Sequence, residues 1–349
     1  MRVLVVAEQL RRPVQGGIGT YVRGLLQGLD GPEVSVWASR PPRGQADPLT
    51  AFGRPVLTSA LPGPVMTRAW DRGVGRVPGS PDVVHATSFA VPPAGRAPLS
   101  VMVHDLAWRH FPEAYPERGR RWHEAALGRT LERGRLLIVP SATVADDLLA
   151  AGASAGRVHV VEEGCDHLAA ADDGDAAALL ARLGVAGDFL LTVSTLEPRK
   201  NLPRLLAAYD TVRSQLPPLV VVGPAGWGPA VQPGPGVILA GPVGGGTLTA
   251  LYSRARLLAY VPLREGFGLP VVEAMACGAP VVASAVPSAG GAAVEVDPFD
   301  VGAIAAALVR IATDDGRRAE LVAAGRARAA SLTWATTARR HVELWTSIE

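Results

Sequence analysis

The sequence predicts an α/β fold built from two doubly wound halves, each a parallel sheet of short strands with helices between them. Three observations carry this expectation. Short apolar, β-branched runs suited to the buried middle of a parallel sheet recur along the chain, alternating with helical patterns. Glycine-rich turns join strand to helix in both halves, at residues 15–20 and 265–268. At 349 residues the chain exceeds what one core usually supports, so two domains are the default. The boundaries follow as residues 1–164, 165–332 and a terminal helical segment at 333–349.

The first strand is residues 2–7, followed by Gln15-Gly16-Gly17-Ile18-Gly19-Thr20 and a helical pattern carrying Tyr21, Val22, Leu25, Leu26 and Leu29. Strand, glycine turn, helix is the arrangement in which a backbone approaches phosphate. A tight turn needing glycine would leave the same trace. The full GxGxxG spacing is missing and no acidic residue ends the second strand at 34–37, which disfavours a dinucleotide. Residues 40–64 are rich in Pro and Gly and read as a surface meander. Strands follow at 82–86 and 99–103, the second ending in His104-Asp105-Leu106-Ala107-Trp108. A histidine there stands where open α/β sheets keep their ligands, although a loop histidine bonded to backbone would look alike.

An Arg-rich helix is expected over 116–135, with Arg118, Arg120, Arg121, Arg129, Arg133 and Arg135 among three glutamates. Mixed charge of this density reads first as a solvated face, second as a surface for an anionic acceptor or membrane. A strand at 136–139, Ser141 as an N-cap, a helix over 143–151 and a strand at 158–161 complete the first half. In the second half, strands are expected at 189–193, 219–222, 237–239, 257–260, 281–283 and 293–296. A final helix begins at Leu332-Thr333-Trp334 and ends with Trp345.

Composition excludes several functions. A net charge of +2 with no long basic block argues against a nucleic-acid binder. Cys165 and Cys277 lie far apart and form no CxxC pair, which fits a reducing cytoplasm and gives no support for a zinc site. The N-terminus reaches Glu8 too soon for a signal peptide, and no apolar run reaches the length of a spanning helix. Peripheral contact with the inner face of a membrane stays open. Lys200 is the only lysine and Asn201 beside it the only asparagine, in a chain that elsewhere uses Arg for every basic side chain. A lone lysine in that setting marks a position where a compact ammonium is required; chance placement is the competing account.

The stretch from Arg264 to Gly278 organises the second half. It reads as a strand end, a turn hinged at Gly266 and Gly268, and a short helix from Pro270 that Gly278 closes. A helix N-terminus favours phosphate. Two carboxylates flank it, Glu265 before the helix and Glu273 one turn inside, and sugar hydroxyls are their obvious partners. Arg199 and Lys200 follow the first strand of the same sheet. Parallel strands deliver their C-terminal ends to one edge, so these groups converge on one crevice. Two cations, a helix N-terminus and glycine amides would hold a diphosphate without a divalent metal, and would stabilise the charge that grows when it leaves. No DxD-like pair accompanies them.

The ordered set Gly16-Gly17-Ile18, His104-Asp105, Glu197-Pro198-Arg199-Lys200-Asn201, the Glu265-to-Glu273 spacing and Val296-Asp297-Pro298 resembles family 4 of the glycosyltransferases. The resemblance runs along essentially the whole chain. It implies the GT-B fold: two Rossmann-like domains facing across a cleft, the first for the acceptor and the second for the nucleotide-sugar, with a C-terminal helix crossing back to the first. It implies a retaining, metal-independent enzyme that needs no cofactor beyond its nucleotide-sugar co-substrate. By the same resemblance Arg199 and Lys200 hold the donor diphosphate. Glu265 and the Gly266-Phe267-Gly268-Leu269 turn meet the transferred sugar and its phosphate, and Glu273 takes the ribose hydroxyls. Gly16 and Gly17 close over the reaction centre, and His104 lines the donor sugar.

The run from His104 to Trp108 with Phe111-Pro112-Glu113 resembles mannosyltransferase-type members and leans towards GDP-mannose. The acceptor would be a glycan, a lipid-linked glycan or a small molecule. A UDP-sugar epimerase-like enzyme and a non-catalytic scaffold on the same fold are the alternatives. One departure is visible: the family has a longer loop, with Pro-Glu, where Pro287-Ser288-Ala289-Gly290-Gly291 runs straight into Ala292.

Overall fold

A computed structural model describes every residue of the chain except 42, 43, 45, 94 and 349. In chain order its strands and α-helices are β1 (Arg2–Val6), α1 (Gly16–Gly28), β2 (Glu33–Ala38), β3 (Val56–Thr58), α2 (Gly63–Asp71), β4 (Val83–Ala86), β5 (Leu99–Met102), α3 (Ala107–His110), α4 (Glu117–Arg133), β6 (Leu136–Val139), α5 (Ala142–Ala150) and β7 (Val158–Val160). There follow α6 (Asp173–Arg182), β8 (Leu190–Val193), α7 (Leu202–Val212), β9 (Leu219–Val222), β10 (Val237–Gly241), α8 (Gly245–Arg254), β11 (Leu257–Tyr260), α9 (Leu269–Ala276), β12 (Val281–Ala283), β13 (Val294–Glu295), α10 (Val301–Thr313), α11 (Asp315–Ala330) and α12 (Trp334–Thr346).

The chain divides into two compact units. The first takes Met1–Trp108, Pro116–Gly164 and Thr333–Glu349, the second Arg109–Tyr115 and Cys165–Leu332. Each is α/β with a parallel sheet. In the first the strand order is β3-β2-β1-β4-β5-β6-β7, in the second β10-β9-β8-β11-β12-β13. Both orders reverse direction once, at β1/β4 and at β8/β11, and the crevice beyond the strand ends at such a reversal is where doubly wound sheets bind ligands. The inner strands explain their own placement: β4, β5, β6, β9 and β11 are buried at every residue, so they need cover on both faces.

Most predicted elements appear within one or two residues of their expected bounds. The stretch 40–64 is the exception. It contains β3, a three-residue edge strand paired with β2 through Val36↔Val56 and Trp37↔Leu57, and the start of α2; residues 42, 43 and 45 of this stretch lie outside the described residues. Three half-exposed residues between prolines carry too little pattern to be read as a strand.

Within the first unit α12 lies against α1. A Cβ on Gly24 would stand 2.0 Å from the Trp334 ring, so the contact requires glycine. Behind it runs a fully buried chain of hydrogen bonds. Trp345 Nε1 donates to Ser100 Oγ at 3.1 Å, and Ser100 Oγ meets His85 Nδ1 at 3.1 Å. His85 Nε2 meets the Tyr21 hydroxyl at 2.9 Å, which meets His341 Nε2 at 2.9 Å. His341 Nδ1 reaches the Thr337 carbonyl at 2.8 Å. An indole N–H can only donate and a carbonyl can only accept, so Ser100 accepts from Trp345 and His341 Nδ1 donates to Thr337. With both histidines neutral, His341 Nε2 is an acceptor, so Tyr21 donates to His341, His85 to Tyr21, and Ser100 to His85. Burial, reinforced by the charge the other histidines would carry, holds His85 well below the ordinary imidazole range. Burial likewise lowers His341 to about 4.

The sign of the pH dependence follows. Unfolded, both rings take up a proton below about pH 6.5; folded, they resist it. The stability they confer is therefore complete above that value and drains as pH falls towards about 4. The thermal midpoint of the first unit should fall across this interval, read by the emission of Trp334 and Trp345. A His341→Leu variant should lose about 1–3 kcal/mol at pH 7, because Tyr21 is left unsatisfied, and should show a shallower acid slope; an unchanged slope would contradict the assigned protonation states.

Candidate active site

The reversal at β8/β11 places two short turns side by side. After β8 the chain passes through a single turn of 3-10 helix, Pro198–Lys200, into α7. Asn201 joins the two with φ 59°, and among the described residues it is the only non-glycine with positive φ. Asparagine tolerates this conformation better than most residues. Its amide donates to the Val261 carbonyl at 3.0 Å and to the Pro298 carbonyl at 2.8 Å. The turn is thereby tied both to the end of β11 and to the Val296-Asp297-Pro298 segment.

After β11 the chain reaches Glu265, and one oxygen of its carboxylate collects three donors. Lys200 Nζ lies 2.6 Å from Oε1, Arg199 Nη1 2.9 Å and the Tyr260 hydroxyl 3.0 Å. Lys200 also donates to the Tyr260 hydroxyl at 3.0 Å. Arg199 reaches the Arg264 carbonyl at 3.0 Å and, with its other terminal nitrogen, Glu197 Oε1 at 3.0 Å. Burial by itself would raise the Glu265 carboxyl, but Arg199 and Lys200 outweigh it and hold the group at about 2. Burial and the neighbouring Arg199 lower Lys200. Burial and the Glu265 charge push Tyr260 well above the ordinary phenol range. Two carboxylates thus balance two cations in a pocket where each side chain is nearly buried.

The turn into α9 is held from the side. Gly268 caps the helix with φ 98°, and a Cβ there would lie 2.2 Å from Val286. Ser288 donates to the carbonyls of Gly268 through its hydroxyl (2.8 Å) and of Phe267 through its amide (3.0 Å). Phe267 and Leu269 are buried beneath. The helix begins at Leu269, one residue before the expected Pro270, which takes the second position. Glu273 stands on the same helix, apart from the cations. Its Oε1 accepts from His167 Nε2 at 3.1 Å and its Oε2 from the Tyr252 hydroxyl at 2.9 Å.

In the first unit, Gly16 opens α1 with φ 55°, followed by Gly17. His104 follows β5 with both ring nitrogens engaged, Nδ1 3.3 Å from Glu163 Oε1 and Nε2 2.9 Å from the Thr87 carbonyl. Burial opposes its charge, but Glu163, the Thr87 carbonyl and Asp105 raise its pKa overall. With an acceptor facing each nitrogen, the ring suits a fixed imidazolium and has no spare lone pair for a general base.

Of the residues singled out from sequence, Arg199, Lys200 and Glu265 meet in direct contact, and Gly266, Phe267 and Gly268 form the turn beside them.

 Leu269 opens the helix that carries Glu273, whose carboxylate points into a separate cluster. Sequence reasoning missed four partners: Glu197, Tyr260, Tyr252 and His167. Glu197 stood in view inside the Arg199-Lys200 motif, two residues before the cation it balances. The other three come from a strand end, a helix interior and a loop, and only tertiary contact assigns them. On the far side of the same turn, a cavity of about 790 Å³ opens against α7, lined by Leu196, Pro198, Leu202, Leu206, Leu263 and Phe299. Among the described residues, no group of three or more His, Cys, Asp or Glu is placed to hold a metal ion.

Known proteins resemble the chain in sequence and in fold. Residues 15–167 match the family description "Glycosyltransferase Family 4" and residues 187–314 match "Glycosyl transferases group 1". The O-antigen chain mannosyltransferase B of Escherichia coli is 30% identical over 271 residues, which cover 72% of this chain and 71% of that protein. The chain belongs to glycosyltransferase family 4, and it is a glycosyltransferase. A D-inositol 3-phosphate glycosyltransferase of Salinispora tropica is 34% identical over 242 residues, 60% of this chain and 50% of that protein. The chain thus spans about half the length of that second relative. Among solved structures, Anabaena HepE in complex with UDP and glucose superimposes with a TM-score of 0.74 at 19% identity, covering 99% of this chain and 100% of that one. The sucrose-phosphate synthase of Thermosynechococcus elongatus gives a TM-score of 0.74 at 19% identity, covering 99% and 98%. The fold is GT-B.

Removing one partner of the ion cluster should expose its energetics. Glu265→Gln leaves two buried cations short of a counter-charge and should cost about 3–5 kcal/mol in urea unfolding. Tyr260→Phe should cost about 1 kcal/mol. Inorganic pyrophosphate should restore much of the Glu265→Gln loss, since it supplies the missing negative charge; failure to restore any would show that the cations are not open to an anion.

Proposed function

We propose that this glycosyltransferase moves a hexosyl group, with retention, from a nucleoside-diphosphate sugar to a hydroxyl of a glycan, lipid-linked or small-molecule acceptor, and that it does so without a divalent metal. The second unit takes the donor and the first the acceptor. The observation that carries the reading is the convergence of Arg199 and Lys200 on Glu265 at the turn into α9. Both cations already lie against a carboxylate oxygen, the chemical relative of a phosphate oxygen. A bound diphosphate takes their remaining donors, and Glu265 turns its second oxygen to the sugar hydroxyls.

The chemistry follows from charge. When the bond between C1 and the bridging phosphate oxygen breaks, negative charge grows on the diphosphate beside Arg199 and Lys200, which stabilise it without reorganising. The acceptor oxygen bonds to C1 from the same face, and its proton passes to the departing phosphate oxygen. Glu265 is a poor nucleophile and a poor base for this step, because one oxygen already accepts three bonds and its carboxyl is held at about 2. Retention by same-face attack fits such a carboxylate better than a double displacement does.

The relative named O-antigen chain mannosyltransferase B supports a mannosyl donor, for which GDP-mannose is our candidate, whereas HepE was solved with UDP and glucose. A surface of the first unit supports an acceptor held at an anionic lipid surface. Leu61, Val65 and Val74 are exposed there beside exposed Arg68, Arg72 and Arg76. Val65, Arg68 and Arg72 share one face of α2 or its end, at i, i+3 and i+7. Asp71, the acidic residue among them, is taken up by Arg129 at 2.6 Å. No helix among the described residues is long and apolar enough to cross a membrane.

Donor screening tests the reading. One nucleoside-diphosphate sugar should raise thermal stability and be hydrolysed slowly, with nucleotide release unaffected by EDTA and the released sugar bearing the donor's anomeric configuration. Lys200→Ala should lower turnover by about 100-fold or more with little change in donor affinity. Abolition by EDTA, or a covalent glycosyl-enzyme trapped on any side chain, would refute the metal-free same-face account. Separately, vesicles rich in phosphatidylglycerol should bind the chain, and Arg68→Glu with Arg72→Glu should abolish that binding; equal binding to neutral vesicles would count against the surface.

A further inference from the structure

The two carboxylates of the Glu265 to Glu273 stretch are held in opposite ways. Glu265 faces two permanent cations. Glu273, 8% exposed, faces an imidazole N–H and a phenol, one on each oxygen. Tyr252 comes from the interior of α8 and is fully buried; His167 comes from the loop that follows Gly164. Neither belongs to the cation cluster. Two separate elements therefore spend a buried and a half-buried side chain on fixing one carboxylate that the ion pairs do not need.

A carboxylate accepts at about four positions. One donor on each oxygen fixes the plane of the group and leaves a second position on each oxygen. Two hydroxyls on adjacent carbons, on one face of a ring, fill such a pair side by side. The charge also selects the ligand. Among the described residues the Glu273 carboxylate meets only an imidazole and a phenol and no Lys or Arg, so it suits neutral hydroxyls better than phosphate. At the other end of α9's turn, Arg199 and Lys200 do the reverse. A nucleotide is thus sorted along the site, ribose to Glu273 and diphosphate to the cations.

We propose that Tyr252 and His167 are positioning residues, which hold both oxygens of Glu273 towards the cis-diol of the donor ribose and so set the preference for ribonucleotide over deoxyribonucleotide donors. The inference rests on the nucleotide-sugar reading given above. Tyr252 restrains Oε2 from behind while His167 restrains Oε1. Loss of either lets the carboxylate rotate, so that a ribose meets one oxygen well and the other poorly. A donor lacking one hydroxyl never used both oxygens and is less affected.

The test measures binding of GDP and UDP, and of their 2′-deoxy counterparts, to the full chain by calorimetry, with melting curves confirming that each variant is folded. The wild type should bind the better ribonucleotide at least 10-fold more tightly than its 2′-deoxy form. Tyr252→Phe should weaken the ribonucleotide 3- to 10-fold, leave the 2′-deoxy form within 2-fold, and raise KM for the donor sugar with kcat unchanged. His167→Leu should act likewise, while His167→Gln, which keeps an N–H donor, should retain most of the ribose preference. Equal weakening of both nucleotides by Tyr252→Phe and His167→Leu, or no change in either, would overturn the positioning role. Glu273→Ala separates this inference from its foundation. If it abolishes the ribose preference while the Tyr252 and His167 variants keep it, the inference alone fails. If it leaves ribonucleotide binding intact, or if neither nucleotide binds the wild type, the assignment of ribose to Glu273 fails and the inference with it.

Discussion

The arrangement of the second unit depends on one carboxylate oxygen. Glu265 Oε1 receives donors from the turn after β8, through Arg199 and Lys200, and from the last residue of β11, through Tyr260. Strands β8 and β11 are neighbours, and the sheet changes direction between them. Elsewhere in the sheet an edge-facing carboxylate would face water; here the reversal opens a crevice and the polypeptide lines both its sides with charge. Taking four ions out of water is expensive unless each finds its partner. Glu197 and Glu265 against Arg199 and Lys200 meet that condition with a net charge of zero, and the Tyr260 hydroxyl joins ammonium to carboxylate.

The solitary lysine becomes intelligible in this setting. Lys200 must donate to a carboxylate at 2.6 Å and to a phenol at 3.0 Å from one nitrogen, with Arg199 crowding the same oxygen. A tetrahedral ammonium can send bonds in those directions and keep another for a ligand; a planar guanidinium in the same space would collide or lose one. Asn201 has an equally local reason. Its left-handed backbone and its two amide bonds to carbonyls of different segments leave few other side chains able to replace it.

The sheet scaffold and half of the site were legible in the chain itself, for a physical reason. Buried parallel strands write continuous apolar runs, and the residues just past their ends are brought to one edge by topology alone; this is how Arg199, Lys200 and Glu265 were readable as neighbours. What sequence does not carry is which polar groups turn inward to complete a charge. Glu197 looked like one more member of its motif, Tyr260 like a strand residue, and Tyr252 like the apolar face of a helix. His85 and His341, 256 positions apart, meet edge to face and share the Tyr21 hydroxyl only in the fold. A three-residue strand such as β3 also leaves no period to detect. The role of His104 is sharpened by its partners: Glu163 and the Thr87 carbonyl occupy the two nitrogens.

The short loop after β12 bears on how firmly this turn is held. Residues 287–289 form one turn of 3-10 helix, with Gly290 at φ 54° and Gly291 at φ 82° returning the chain to β13. Val286 fills the space a side chain at Gly268 would need, and Ser288 is spent on the carbonyls of Phe267 and Gly268. Arg328 of α11 braces the loop from behind, donating to the Ser288 carbonyl at 2.9 Å. Every polar group so used is turned towards the polypeptide. The loop therefore acts as a buttress for the turn into α9, fixing the position of Gly268 and of the helix end beside Glu265.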